Sequence, residues 1–304
     1  MSDSGMPQRL LERRYRRMLV AYPRGYRAGH GEELIATLLE TAEPHRSTPP
    51  LTEAAALLTG GLRTRIVQAA RGPSWADGLH LTITALAFAN LATLLPYATT
   101  IPLWTALAAL AALAVARGRF LVALPLAALT GVKVAAIGLG RPWLDATLLP
   151  VFADPLPRDW GMPALLSTGG PVAPVAAHAM VVLGAAVLAV RHRAARPRSW
   201  WWWAAVPPLA GVNAEQYDAG DPTATPARIC LEIALLLLAA LAGHIAMDAR
   251  WALAATLYLP FEVIELIENH LMATRRDFAH LALLVFLTGV ATAVTHQSRR
   301  RALL

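Results

Sequence analysis

ICLEIALLLLAALAGHIA, residues 229–246, decides the class of fold. Apart from Glu232 and His244 the run is apolar or small, with no polar stripe that a helix on the surface of a soluble protein would keep. A helix needs about 20 predominantly apolar residues to cross the ~30 Å hydrocarbon core of a bilayer, and this run with its flanks reaches that length. The same texture returns along the chain. Spans are expected near 78–97, 101–116, 120–139, 172–190, 200–214, 228–246, 251–268 and 278–295. The weakest is WWWWAAVPPLAGV (200–212), where Pro207 and Pro208 interrupt a helix and the Trp run suits a headgroup boundary. The composition agrees: 56% apolar and 15% charged, against roughly 45–50% and about 25% in soluble domains. The expected fold class is all-α, a polytopic integral membrane protein of about eight transmembrane helices preceded by a small three-helix cytoplasmic domain. The organisation is 1–74 for that domain and 75–304 for the bundle.

The net charge of +7 raises nucleic acid as a partner, and the positions of the arginines decide against it. With the N-terminus inside, Arg117-Gly-Arg119, RHRAARPR (191–198), Asp248 with Arg250, and SRRR (298–301) all fall on the cytoplasmic side. The stretches 98–100, 140–171, 213–227 and 269–277 fall outside, with Arg275-Arg276 the exception, partly offset by Asp277. This is the positive-inside pattern. If 200–214 did not cross, the later spans would invert and Arg299–Arg301 would move outside, so the charge pattern favours a crossing. The expected location is the cell (inner or plasma) membrane, with the lipid bilayer as surroundings and the N- and C-termini cytoplasmic. No signal peptide is read, since the first long apolar run begins near residue 79. Cys230 is the one cysteine, which excludes an intramolecular disulfide or a Cys-rich metal site.

Ahead of the spans lies LERRYRRMLVAYPRGYRAGHGEELIATLLE (11–40). Leu11, Tyr15, Met18 and Tyr22 recur at helical spacing and make one apolar face, away from Arg13, Arg16 and Arg17. Pro23-Arg-Gly25 breaks that helix, and a second follows with Leu34, Ile35, Leu38 and Leu39 inward and Glu32, Glu33 and Glu40 outward. A third, 51–71, begins at a possible Thr52 cap. The second helix is acidic, which argues against a helix-turn-helix DNA reader, whose second helix carries the basic residues. GHGEE (29–33) is read as capping and solvation at a helix start. The candidates for docking a cytosolic partner are Arg13, Arg16, Arg17, Tyr22, Glu32 and Glu33; the plainer alternative is a head that only anchors the N-terminus by charge.

The residues RRYRRMLVAYPRGYRAGHGEELIATLLE, with their Tyr-Arg-Arg, Tyr-Pro, Tyr-Arg and Gly-Glu-Glu-Leu elements, resemble the cytoplasmic helical module of HAAS-type signalling proteins and permease-prefix regions. TEAAALLTGGLRTRI is similar to the segment that often follows that module before a first span. The resemblance covers about the first 70 residues. It implies a multi-pass membrane protein with a cytosolic signalling head, often found beside transcriptional regulators of PadR type. It implies no substrate.

Ionisable groups within spans are costly and mark candidate function. At ~1.5 Å per residue, Lys133, His178, Glu232, Glu262 and Glu265 all fall in the outer half of the bilayer. Tyr258, Glu262, Glu265 and Asn269 share one helical face. The expected arrangement pairs Lys133, the one lysine, with Glu262 or Glu265, flanked by Glu232 and His178. Such a layer serves as interhelical packing, as a proton- or solute-linked site, or as a metal site. Asp145, Asp154 and Asp159 with Trp143 and Trp160, and Glu215, Asp218 and Asp221, read as solvated loop charge, with an acidic lid over the polar layer as the alternative. His192 belongs to a basic loop, and His244 near Asp248 is read as interfacial. The chain has no HExxH, Walker loop or GxSxG elbow, so no enzyme, no catalytic residue, no metal site and no cofactor are expected. A regulator or sensor with a docking head is the functional expectation, with a small secondary transporter as the alternative; oligomeric state is not legible.

Overall fold

The computed structural model describes residues 5–43, 46–70, 72–95, 98, 102–138, 172–191, 196–210, 225–268 and 273–302. Asp145, Asp154, Asp159, Trp143, Trp160, His192, Glu215, Asp218, Asp221 and Asn269 lie outside the described residues. All the described secondary structure is helical. The chain divides into two compact units, Met1–Arg71 and Gly72–Leu304.

The first unit contains α1 (Gly5–Met18), a 3-10 turn (Leu19–Ala21), α2 (Arg24–Glu40) and α3 (Leu51–Ala69). Pro23, at φ −61° and ψ 150°, separates the turn from α2, because a proline has no N–H to continue the preceding helix but suits the start of the next. Leu11, Tyr15, Leu19, Tyr22, Ile35 and Leu57 form the core. The Tyr15 hydroxyl donates to Glu53 at 2.6 Å. Burial, then the hydrogen bond and charge of Glu53, push that phenol up from 10.0 to about 12. α3 comes very close to the turn at Gly61, where a Cβ would lie 2.8 Å from that of Ala21. Arg65 donates to the carbonyls of Val20 and Ala21, orphaned at the end of the first helical segment. Two local expectations are corrected. Pro50 occupies the cap position of α3 with no side-chain cap bond, so Thr52 is already inside the first turn. Gly29–Glu33 lies in the interior of α2, because the helix starts directly after Pro23.

The second unit contains α4 (Ser74–Leu94), α5 (Pro102–Ala116), α6 (Phe120–Gly138), α7 (Val172–Val190), a 3-10 segment (Trp200–Ala205) with a one-turn α8 (Val206–Leu209), α9 (Pro226–Ala246), α10 (Arg250–Glu268) and α11 (Arg275–Ala302). Among the described residues, three stretches are long and apolar enough to cross a membrane: Val172–Val190, Pro226–Ala246 and Arg275–Gln297. α5 and α6 are shorter apolar helices. α10 has 19 residues but carries Glu262, Glu265 and Glu268. At the expected fifth span the chain forms no continuous helix of crossing length over 200–209. Two consecutive prolines remove two backbone donors there, and the 3-10 segment precedes them.

Small side chains set the packing. Ala87, Ala92, Ala108, Ala111, Ala112, Ala123, Ala127 and Ala185 are buried together with Phe88, Trp104 and Leu188, and small residues let helix backbones approach closely where hydrocarbon surrounds them. Gly78 meets α10 so closely that a Cβ would lie 2.9 Å from the Arg250 carbonyl oxygen. Large apolar groups point outward instead: Leu121, Leu183, Val190, Leu238 and Phe286 are each more than half exposed. Among the described residues thirteen polar or charged side chains are buried, Lys133, His178, Glu232 and Arg250 with them. Large apolar side chains on the outside, over an apolar core that also holds ionisable groups, match a lipid-facing surface.

The helices run end to end in a consistent order. At one end, Asp77 at the start of α4 accepts from Arg198 and from Arg250 at the start of α10, both at 2.9 Å. The Arg198 N–H reaches the Ala116 carbonyl at the end of α5 at 2.7 Å, and His80 packs edge-on against Phe120 at the start of α6. Asp248, just after α9, binds Arg250 at 3.0 Å, and Thr295 near the end of α11 sits against Gly243 near the end of α9. At the opposite end, Glu268 closing α10 accepts from the N–H groups of Val172 and Ala173 opening α7, at 2.7 and 2.8 Å.

Candidate functional site

Three helices converge on one guanidinium near that second end. Thr225 caps α9 through the Arg228 N–H at 3.2 Å, with Pro226 next, so Arg228 stands in the first turn. A cation there opposes the helix dipole by about 0.3–1 kcal/mol, and three carboxylates offset that. Glu232 follows one turn on along α9, with its Oε1 2.9 Å from Arg228 Nε. Tyr258, Glu262 and Glu265 share one face of α10. Glu265 takes a forked pair from Arg228 at 3.0 and 2.9 Å, and both oxygens of Glu262 lie 2.8 and 2.9 Å from Nη2. Paired N–H groups facing paired oxygens are the strong geometry for a guanidinium.

The remaining contacts come from Tyr258 and α11. The Tyr258 hydroxyl lies 3.1 Å from Glu232 Oε1 and 2.8 Å from Glu262 Oε1. His280 Nε2 faces Glu232 Oε2 at 3.0 Å. Asp277 binds the Thr274 N–H and hydroxyl at 2.8 and 2.7 Å and so fixes the start of α11 one turn before His280. Exposure of the charged side chains falls from 35% at Glu265 to 17% at Arg228, 10% at Glu262 and 5% at Glu232, so the group is sealed from one side. Arg228, Glu262, Glu265, Asp277 and His280 line a cleft of about 310 Å³ of empty space, of which about 20 Å³ admits the centre of a water molecule. A single water needs roughly 10–15 Å³ by that measure, so the enclosed part of the cleft has room for about one water.

The structure therefore brings together three of the five intramembrane candidates, Glu232, Glu262 and Glu265. Arg228 holds the two glutamates that Lys133 was expected to meet, and its fork gives each of them two contacts where an ammonium offers a point charge. Lys133 on α6 instead stands over the Trp104 ring, 5.2 Å from its centroid. His178 on α7 is buried, its Nδ1 2.9 Å from the Pro174 carbonyl oxygen one turn earlier, and its Cβ fills the space beside Gly131 of α6. The sequence reading missed Arg228, Asp277 and His280. Arg228 and Glu232 at i, i+4 were the available signal.

Among the docking candidates, Arg16 bridges Glu12 and Glu32 at 3.0 and 2.8 Å on the surface of the first unit. Arg13, Arg17 and Glu33 are exposed. Tyr22 is turned into the core and stacks on Tyr26, with ring centroids 5.1 Å apart, so it is a packing residue and presents no docking surface.

Compared with family models, curated proteins and solved structures, the chain matches none.

Proposed function

We propose that this chain is a regulatory or sensor protein of the cell membrane that crosses the bilayer eight times, keeps both chain ends in the cytoplasm, and docks a cytosolic protein through residues 1–71. What supports the crossing count is the order in which helix ends meet. Asp77, Ala116, Phe120, Arg198, Asp248, Arg250 and Thr295 belong to one end, and Val172, Arg228, Glu268 and Asp277 to the other. Arg198 and Thr225 belong to opposite ends, although 200–209 forms no spanning helix. The count of end changes is then even. Arg117, Arg119, Arg191, Arg196 and Arg198 gather near the first end, which the positive-inside rule assigns to the cytoplasm.

The observation that favours a regulator over a conduit is the Arg228 cluster itself. It ties α9 to α10 by direct ion pairs, with His280 of α11 facing Glu232 at 3.0 Å, around a cleft with room for about one water, the arrangement of a latch between helices. The exposed charges of α1 and α2, Arg13, Arg16, Arg17, Glu32 and Glu33, are the surface offered to a partner, and the resemblance of residues 11–40 makes a PadR-type regulator the one to test. Full-length protein in nanodiscs is expected to bind such a regulator saturably, and Arg13→Glu with Arg17→Glu to abolish the binding. A regulator that binds both forms equally, or neither, overturns the docking reading. The transport alternative predicts that proteoliposomes accumulate a solute and that Glu262→Gln stops it.

A further inference from the structure

The Arg228 cluster contains more carboxylate than cation and fewer hydrogens than contacts. One guanidinium faces two buried carboxyl groups, Glu232 and Glu262, and the more exposed Glu265, all within 3.0 Å. Burying unbalanced charge is costly, and carboxyl groups in that position take protons instead. The hydrogen count points the same way. Tyr258 has one hydroxyl hydrogen, yet its oxygen lies within hydrogen-bond distance of Glu232 and of Glu262. If the hydroxyl donates to one, a proton on the other carboxyl completes the second bond. Arg228 Nη2 has two hydrogens and meets three carboxylate oxygens.

A separate observation concerns His280. Its Nε2 and Glu232 Oε2 stand 3.0 Å apart, and neither atom has another hydrogen-bond partner among the described residues. Both residues are more than nine-tenths buried, and His280 lines the cleft. Two acceptors do not rest face to face at that distance without a proton on one of them.

We propose that Glu232, Glu262 and His280, organised by Arg228 and Tyr258, form a proton-binding site that holds a proton, with one water in the cleft, at the end of the bundle remote from Asp77. The chemistry selects a proton over a metal ion: the carboxylates fan around a guanidinium, and among the described residues no three ligand side chains are arranged to hold a metal. The groups that set the site come from three helices: Arg228 and Glu232 from α9, Tyr258, Glu262 and Glu265 from α10, and Asp277 and His280 from α11, with Arg275 and Arg276 exposed beyond them. α4 and α7 also pack on α10. Their titratable groups are engaged elsewhere: Asp77 with Arg198 and Arg250, His80 with the Val115 carbonyl, and His178 with the Pro174 carbonyl. α8 brings none. Opening the latch to outer water removes the burial that holds the proton, so proton occupancy and helix contact are linked. The inference rests on the membrane-embedded reading and is independent of any docking partner.

The test is infrared difference spectroscopy on the full chain in lipid nanodiscs, titrated from pH 8 to pH 5. The wild type is expected to carry the C=O stretch of a protonated, buried carboxyl at pH 7, shifted in deuterium oxide, and lost or halved in Glu262→Gln and in Glu232→Gln. His280→Gln is expected to move the pH at which the band grows. A wild-type spectrum with no protonated-carboxyl band at pH 7, and none gained down to pH 5, overturns the site whether or not the variants fold. A band that survives unchanged in both glutamine variants also overturns it. Finding the band while the chain ends label on opposite faces of the membrane would keep the proton site and remove the eight-crossing reading.

Discussion

Arg228→Met isolates what the cluster contributes. The substitution keeps an unbranched apolar stem and deletes the guanidinium facing Glu232, Glu262 and Glu265. Five donor contacts to carboxylates, including the Nε contact to Glu232, disappear with it. Removing one partner of a buried ion pair costs roughly 3–5 kcal/mol, because the remaining charge stays buried without compensation. At about 2–4 °C per kcal/mol for a chain of 150–250 residues or somewhat more, the melting temperature in detergent is expected to fall by roughly 6–20 °C at neutral pH. The loss should shrink in acid, since protonated carboxyls need no counter-charge. Changing all three glutamates to glutamine in the Arg228→Met background should recover most of the stability, as replacing a whole buried ionic group by neutral side chains is often near neutral. Melting curves of the single, triple and quadruple variants at pH 5 and pH 8 measure this. An Arg228→Met protein that melts with the wild type at pH 8, or one no better at pH 5, refutes the reasoning.

Gly184→Ala should destabilise the bundle by about 1–3 kcal/mol, because a methyl there overlaps Ile83 Cγ2 of α4; Gly289→Ala, with nothing within 4 Å, serves as the control in the same thermal assay. Asp77→Asn leaves Arg198 without that carboxylate while Arg250 keeps Asp248, and should lower stability by roughly 1–3 kcal/mol, read by the same melts. In the first unit, Tyr15 is raised from 10.0 to about 12, so its contribution to stability is complete below pH 10 and is lost as pH rises towards 12. Alkaline unfolding followed by tyrosinate absorbance should therefore begin later in the wild type than in Glu53→Gln, where the acceptor that favours the neutral phenol is weakened.

Helix positions followed directly from apolar runs. α7, α9 and α11 cover the expected 172–190, 228–246 and 278–295, with α9 and α11 starting earlier, at Pro226 and Arg275, and α11 running on to Ala302, because hydrocarbon admits so few alternatives to a helix. Residues 200–209 escaped that logic: the Trp run is apolar enough to read as a span, while Pro207 and Pro208 break the backbone and leave the side chains packing on Phe88. The site was half visible. Glu232, Glu262 and Glu265 stand out as acids in greasy runs. Arg228 did not, because it sits in the first turn of its helix, where a basic residue reads as a flank and its three partners come from two different helices. Lys133 was misassigned for a related reason. Composition singles out a lone lysine as the natural partner for buried acids, and only tertiary packing sets it over Trp104. His280 lies three residues into its span, where burial against Glu232 depends on how α11 leans on α9.

The account turns on which helix ends share a side of the membrane. In a Cys230→Ser background, single cysteines introduced at Ala273 and at Ala302 can be probed in intact cells with a membrane-impermeant maleimide. The expected result is labelling at 273, just ahead of α11 and its Asp277, and none at 302 until the membrane is opened. Equal labelling of both positions in intact cells would put the two ends of α11 on one side and contradict the account at its base.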